Sequence, residues 1–267
     1  MGAQQADLEN KLWQQIHTEV WDLAKGEPML ASFYHATILN HESLASALSF
    51  HLANKLDSPT VPAMAVREII DHAIDADDSI IHAVCEDIVA VKSRDPACHL
   101  ISMPLLYFKG FHALQAYRVT HWLWHQDRRT LAVFLQNQIS VALGVDIHPA
   151  AKIGSGILID HATGLVVGET AVVEDNVSLM QNVTLGGTGN EEGDRHPKVR
   201  HGVLVGAGAI VLGNVEIGIG AKIGAGSVVL TAVPAHTTVA GVPAKVVGKP
   251  ASEQPALNMD HQLNRNE

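Results

Sequence analysis

The sequence predicts an α + β chain: an all-α N-terminal domain over residues 1–142, then a parallel β-helix of hexapeptide repeats over residues 143–249. Three observations predict it. Apolar residues before about residue 140 recur at helical spacing, and from about residue 145 they recur every six residues. All four tryptophans and all three tyrosines precede the change of period.

In the first half, Ile81, Val84, Cys85, Ile88 and Val91 follow the i, i+3, i+4, i+7, i+10 spacing of one helical stripe. Leu131, Phe134, Leu135, Ile139, Ala142 and Leu143 repeat the pattern further on. Breaks at Gly26-Glu27-Pro28, Asp57-Ser58-Pro59, Asp95-Pro96, Met103-Pro104 and around Asp127 divide this half into roughly six or seven short helices.

In the second half, Ile147, Ile153, Ile159, Leu165, Ala171, Val177 and Val183 are spaced by six. The period resumes at Val199, Val205, Val211, Ile217, Ile223 and Val229. Six residues make one flat side and one corner, so three sides close a triangular coil of about 18 residues. Each aliphatic residue points into the triangle and stacks on its copy one coil away, at about 4.8 Å. Four to five such coils fit, roughly. The interruption at residues 184–198, TLGGTGNEEGDRHPK, has no apolar stripe and is predicted to be an external loop. Residues 250–267 are polar and are predicted to be a flexible tail.

Composition excludes several classes. The net charge is −10, from 18 basic and 28 acidic residues, which argues against a general nucleic-acid binder. Cys85 and Cys98 form no C-x-x-C pair and build no disulfide scaffold, which reads as a reduced, intracellular protein. The N-terminus lacks the apolar core of a signal peptide, and Ala6 leaves a myristoylation signal incomplete. No stretch is apolar enough for a membrane span, so the chain is read as cytoplasmic.

A coil filled by its own side chains has no internal cavity. Ligands must bind on its outer faces or in seams between subunits, and three-sided prisms pack as trimers. Three groups of residues are candidates. His161 lies two residues after the inward Ile159, so it is expected inward or at a corner. It reads either as a hydrogen-bonded structural histidine or as a general base, with Asp146 almost one coil below to orient it. Asp194-Arg195-His196 reads either as a solvated cluster or as a clamp whose arginine grips a carboxylate. Ala207 and Ala225, 18 residues apart, stack on one face; they either fill corners or expose backbone amides to an extended ligand. Lys222, Lys245 and Lys249 are available for phosphates.

The segments EPMLASFYHATILNHESLASALSFHLANKL, SRDPA and LLYFKGFHALQAYRVTHWLW resemble the helical domain of bacterial serine acetyltransferases, members of the hexapeptide acyltransferases. VDIHPAAKIGSGILIDHATG, VTLGGTG, GDRHPK and AGVPAKVVGKP continue the resemblance, which spans about residues 10 to 250. It implies a left-handed coil and acetyl transfer from acetyl-CoA to the L-serine hydroxyl, without a resident cofactor or metal. By the same resemblance His161 is the general base and Asp146 its carboxylate partner. Asp95 and Asp160 bind the serine ammonium group, while Arg195 and His196 hold its carboxylate. Gly187, Ala207 and Ala225 form the acetyl-CoA groove, with Lys222 and Lys245 beside it. The resemblance further implies a homotrimer that pairs into a dimer of trimers, and inhibition by L-cysteine at the serine site. Docking into O-acetylserine sulfhydrylase uses a C-terminal isoleucine in the family; this chain ends Asn264-Arg265-Asn266-Glu267, so either the tail is truncated or the docking is absent or altered, and that complex is not assumed. Two competing readings are a zinc site on His161, His196 and His201, and a non-catalytic trimeric scaffold.

Overall fold

The computed structural model describes residues 2–189 and 192–263. Residues 190 and 191 of the predicted loop and 264–267 of the predicted tail lie outside the described residues. The first half is helical: α1 (Gly2–Gly26), α2 (Ala31–Tyr34), α3 (Leu44–Lys55), α4 (Ala63–Ala76), α5 (Asp78–Arg94), α6 (Met103–Tyr107), α7 (Lys109–His125) and α8 (Arg129–Leu143). The predicted breaks miss those at residues 40–43, at Asp77 and at Phe108, which set off α3, α5 and α7; Met103-Pro104 opens a helix, since proline in the first turn gives up only an N–H that has no partner there. The side chain of Asp77 caps α5 by accepting the Ser79 N–H at 3.0 Å. The predicted stripe of α5 buries Val84, Cys85, Ile88 and Val91, with Ile81 packed at its edge.

The coil begins at Val145. Its first turn holds β1 (Val145–Ile147), β2 (Lys152–Ile153) and β3 (Leu158–Ile159). The second holds β4 (Leu165–Val167), β5 (Val172–Val173) and β6 (Ser178–Leu179). The third holds β7 (Thr184–Gly186), β8 (Lys198–Val199) and β9 (Leu204–Val205). The fourth holds β10 (Ile210–Leu212), β11 (Glu216–Ile217) and β12 (Lys222–Ile223). β13 (Val228–Val229), β14 (Thr238–Ala240) and β15 (Lys245–Gly248) finish it. Three parallel faces result: β1-β4-β7-β10-β13 (face A), β2-β5-β8-β11 (face B) and β3-β6-β9-β12-β14 (face C), the last closed by the antiparallel β15.

Twelve of the thirteen predicted inward positions are buried, and Ile153 is packed at the edge of the core. Their stacking is not continuous, however. Ile147, Ile153 and Ile159 sit beneath Val167, Val173 and Leu179, twenty residues on, not beneath Leu165, Ala171 and Val177. The first coil carries two extra residues, and the period slips by two between Ile159 and Leu165. Across the external loop the offset is 26 residues; above it 18 returns, and at the last turn, where Ile223 pairs with Val239, it shortens to 16. The slip escapes a period-six reading because each side of the coil buries two positions, i and i−2, so a shift of two lands on apolar residues again.

The helical domain is pinned to the coil by buried charge. The Arg118 guanidinium bonds the Asp87 carboxylate at 2.6 Å and the Gly154 carbonyl at 2.8 Å, while Asp87 also accepts the Ile157 N–H at 2.8 Å. Arg94 reaches Asn176 at 2.8 Å and Ser178 at 3.2 Å. Part of the predicted tail is laid against face C instead of running free. Within it α9 (Pro255–Asn258) buries Pro255 and Ala256, and Met259 packs on Val91, Cys98 and Leu158. Among the described residues no helix is long and apolar enough to cross a membrane.

Candidate active site

Most of the candidate side chains gather at the two corners that flank face A. The first corner joins β3 to β4 and is where the coil slips. His161 and Ala162 both have positive φ, 56° and 63°. Instead of pointing inward, His161 is carried outward, with 72% of its side chain exposed. The two-residue bulge explains this correction: the inward position after Ile159 is taken by Ala162, which is fully buried.

Beside this bulge lies a cleft of about 380 Å³, lined by Asp95, Tyr107, Phe108, Lys109, Asp160 and His161 among others. Asp95 follows the last turn of α5, and its carboxylate accepts the Ala97 N–H at 2.8 Å. Asp160 Oδ2 stands 3.8 Å from His161 Nε2. Burial raises the Asp160 carboxyl above its ordinary range, and Asp95 adds to this, while His161 opposes it. The Tyr107 hydroxyl bonds that of Tyr34 at 2.8 Å. The cleft therefore offers two carboxylates and one imidazole around a space wide enough for an amino acid, a cation-receptive pocket next to a proton acceptor.

The second corner joins β4 to β5 and receives the root of the external loop. The Arg195 and His196 amides both donate to Thr170 Oγ1, at 3.0 and 3.1 Å. The Thr170 N–H donates to His196 Nδ1 at 3.2 Å, which leaves the proton of the neutral ring on Nε2. Burial lowers the His196 pKa, so the ring is neutral at pH 7. It lies flat over Gly168, where a methyl group would overlap the imidazole. Arg195 pairs with Glu169 at 2.5 Å and holds that carboxylate below its usual range. Lys198 bonds Asp194 and the carbonyls of Thr170 and His196, closing the loop's base. Gly187 lies beside Arg195 and His196 at this corner.

Asp146 sits on face A between the two corners, beside Val166 of the next turn, with its carboxylate accepting from Gln136 at 2.7 Å. Among the described residues His161 pairs with Asp160 and Asp146 with Gln136, so the expected stacking of His161 over Asp146 within one chain is not formed. The reason is the twenty-residue first coil, which places Val166, not His161, over Asp146.

Ala207 and Ala225 do stack, one coil apart, and the Gly226 N–H donates to the Ala207 carbonyl at 2.8 Å. Lys222 is 3% exposed and is bonded to Asp260 and the Gln262 carbonyl, so within one chain the tail occupies it. Lys245 is exposed on β15, at the far end of the coil. His161 and His196 stand at different corners, and His201 lies beyond them with its amide on Glu174. Among the described residues no three histidine, cysteine or carboxylate side chains converge as a metal site. Burial pushes the Cys85 thiol up to about 12 and Cys98 up to about 11, too high for either to serve as a nucleophile at pH 7. Lys109, Tyr107, Glu169 and Thr170 were not singled out from the sequence. No sequence pattern singles out Lys109, which meets Thr163 54 residues away, and the long-range register alone brings Thr170 under the loop.

The profile described as "Serine acetyltransferase, N-terminal" matches residues 12–116. The serine acetyltransferase of Salmonella typhimurium is 64% identical over 95% of this chain and 93% of its own length. That of Haemophilus influenzae is 61% identical over 93% of each. Among solved structures, the Vibrio cholerae serine acetyltransferase matches with a TM-score of 0.95 at 64% identity, covering 96% of this chain and 99% of its own. A serine acetyltransferase in complex with cysteine matches at 0.93 and 59% identity, covering 95% and 99%. One in complex with CoA matches at 0.86 and 61% identity, covering 90% and 100%. The helical domain followed by about five parallel turns is consistent with the left-handed β-helix expected above.

Proposed function

The chain belongs to the serine acetyltransferase family and is an acyltransferase; from that premise we propose that it moves the acetyl group of acetyl-CoA to the L-serine hydroxyl, with His161 as general base. The observation that carries this reading is the cleft in which an exposed imidazole stands beside two carboxylates, Asp160 and Asp95. Those carboxylates suit an ammonium group. Its positive charge would favour the ionised form of Asp160, which burial alone disfavours.

A serine hydroxyl is a poor nucleophile at neutral pH and needs a base. The His161 imidazole takes the hydroxyl proton as the oxygen attacks the thioester carbonyl. The C–S bond then breaks, and the departing CoA thiolate recovers the proton from His161. Backbone amides of the coil stabilise the intermediate oxyanion. No acyl-enzyme is needed, and the buried thiols of Cys85 and Cys98 supply no candidate for one.

Arg195, His196 and Asp146 complete the site from a neighbouring subunit. In one chain the His161 corner and the Arg195 corner lie on opposite edges of face A, and a threefold assembly of prisms brings one against the other. His196 then presents an Nε2–H donor, and Arg195 a guanidinium, to the carboxylate of serine. The Ala207–Ala225 stack lies on the His161 side of face A and Gly187 on the Arg195 side, so the two border the same seam from its two sides and suit the pantetheine arm. L-cysteine has the ammonium and carboxylate of serine with a thiol in place of the hydroxyl, so it competes for the same cleft.

The test is CoA release with acetyl-CoA and L-serine, followed at the thioester absorbance, with and without L-cysteine, for the native chain and His161→Ala. The expected loss in the variant is about 10²–10⁴-fold, with the circular dichroism spectrum unchanged. Full turnover in the variant removes His161 as the base. Absence of serine-dependent turnover in the native chain removes serine as the acceptor.

A further inference from the structure

The bulge that carries His161 does not hold itself. Asp160, His161, Ala162 and Thr163 make two consecutive three-residue turns, closed by Ala162 N–H to the Asp160 carbonyl at 2.6 Å and Thr163 N–H to the His161 carbonyl at 2.7 Å. Such turns are strained, and two successive non-glycine residues at positive φ add to the strain. A backbone of this kind persists only where its surroundings impose it. The next turn of the coil fixes the two ends of the bulge, through the Asp160 N–H on the Leu179 carbonyl at 2.9 Å and the Asn182 N–H on the Thr163 carbonyl at 2.8 Å, and the first turn of α7 presses on it from outside. Lys109 Nζ bonds Thr163 Oγ1, the residue that ends the bulge. Gly110 brings helix backbone directly onto it: a methyl group at Gly110 would overlap the Ile159 carbonyl oxygen and meet Ala162 Cβ at 3.0 Å. Further along, α7 is fixed to the same coil through Arg118 on Gly154 and through His121 Nδ1 on the Pro149 carbonyl at 2.7 Å. The helix is thus a strut whose N-terminus rests on the bulge.

We propose that Lys109 and Gly110 are positioning residues for the acetyl transfer. They press the strained Asp160–Thr163 bulge into the one shape that aims His161 into the cleft. The proposal rests on the reading of His161 as the base. It also assigns the helical domain a part in the chemistry: the contact of α7 with the coil sets the orientation of the reactive side chain.

The test uses the full chain with Gly110→Ala, Lys109→Met and Lys109→Arg. The measurements are kcat and KM for both substrates, the unfolding midpoint, and the His161 Cε1–H resonance, assigned by its loss in His161→Ala. Gly110→Ala is expected to lower kcat by on the order of tenfold or more, because misplacing a reacting group by about 1 Å has effects of that size or larger. KM should stay within about threefold and the fold intact, with the His161 resonance shifted. Lys109→Met should act in the same direction more weakly, and Lys109→Arg should restore most of the rate, since a guanidinium still donates to Thr163. A folded Gly110→Ala chain with native kcat and an unmoved His161 resonance overturns the proposal. So does a Lys109→Met chain whose serine KM rises while kcat holds, which would make Lys109 a substrate contact. If His161→Ala retains turnover, the base reading fails by itself. The clamp is then still decided by whether the His161 resonance moves in Gly110→Ala.

Discussion

Two insertions interrupt the coil, and they are held in opposite ways. The first is two residues long, between β3 and β4, and the helical domain braces it from outside. The second spans the connection from β7 to β8, and its described residues are braced by the β4–β5 corner of the same coil: Thr170 takes both amides at its root, Lys198 closes its base, and Arg195 leans on Glu169. In the proposed mechanism the small insertion presents the proton acceptor and the large one the anion-receptive pair. The short insertion is pressed from outside by the helical domain, through Lys109 and Gly110; the long one is tied down by the coil beneath it.

This difference can be broken by mutation. The largest effect is expected at Asp87→Ala, which leaves Arg118 buried without its partner. Removing one member of a buried ion pair typically costs about 3–5 kcal/mol, read as a lower midpoint in denaturant unfolding. Because Arg118 also ties α7 to the coil, kcat should fall along with stability. Loss of serine affinity with kcat intact would mean that the helical domain braces the wrong corner in this account.

Gly168→Ala strikes the other corner alone. The added methyl group overlaps the His196 ring and must push it off its seat. Serine KM is expected to rise roughly tenfold, the scale of one charge-assisted contact of about 1.5 kcal/mol, with a smaller change in kcat. An equal fall in kcat would show that the two corners are not separable.

Asp160→Asn gives the smallest effect and sharpens the comparison by sign. The Asp160 carboxyl has a raised pKa in the folded chain, so ionisation near neutral pH favours the unfolded state. The amide variant should therefore be slightly more stable than the native chain at pH 7, and this difference should vanish as pH falls through the unfolded carboxylate range. At the same time its serine KM should rise. A variant that is less stable at pH 7 would contradict the burial argument for this carboxylate.

The large interruption was legible in the sequence and the small one was not. Residues 184–198 break the apolar stripe outright, so an external loop follows from period alone. His161–Ala162 leaves the stripe looking intact, because Leu165, Ala171, Val177 and Val183 are themselves buried, two positions off the phase of Val167, Val173, Leu179 and Leu185. That concealed slip is why His161 was expected to point inward and to stand over Asp146. The helical half was legible as stripes, yet nothing in a stripe tells that Gly110 rests on Ile159 or that Arg118 spans two domains. Those contacts join residues far apart in the chain, and single-chain periodicity carries no long-range register. Lys222 shows the same limit: a lone lysine in sequence turns out to be covered by a segment about 40 residues away.

The central claim is that the two interruptions meet across a subunit seam to form one site. Co-expression of His161→Ala and Arg195→Ala chains with different tags, followed by isolation of the mixed oligomer, tests it directly. In a mixed trimer one seam of three pairs an intact His161 corner with an intact Arg195 corner, so serine-dependent CoA release should return to about one third of the native rate per trimer. Mixed oligomers no more active than the two single variants would contradict a shared seam and place both corners' functions within one chain.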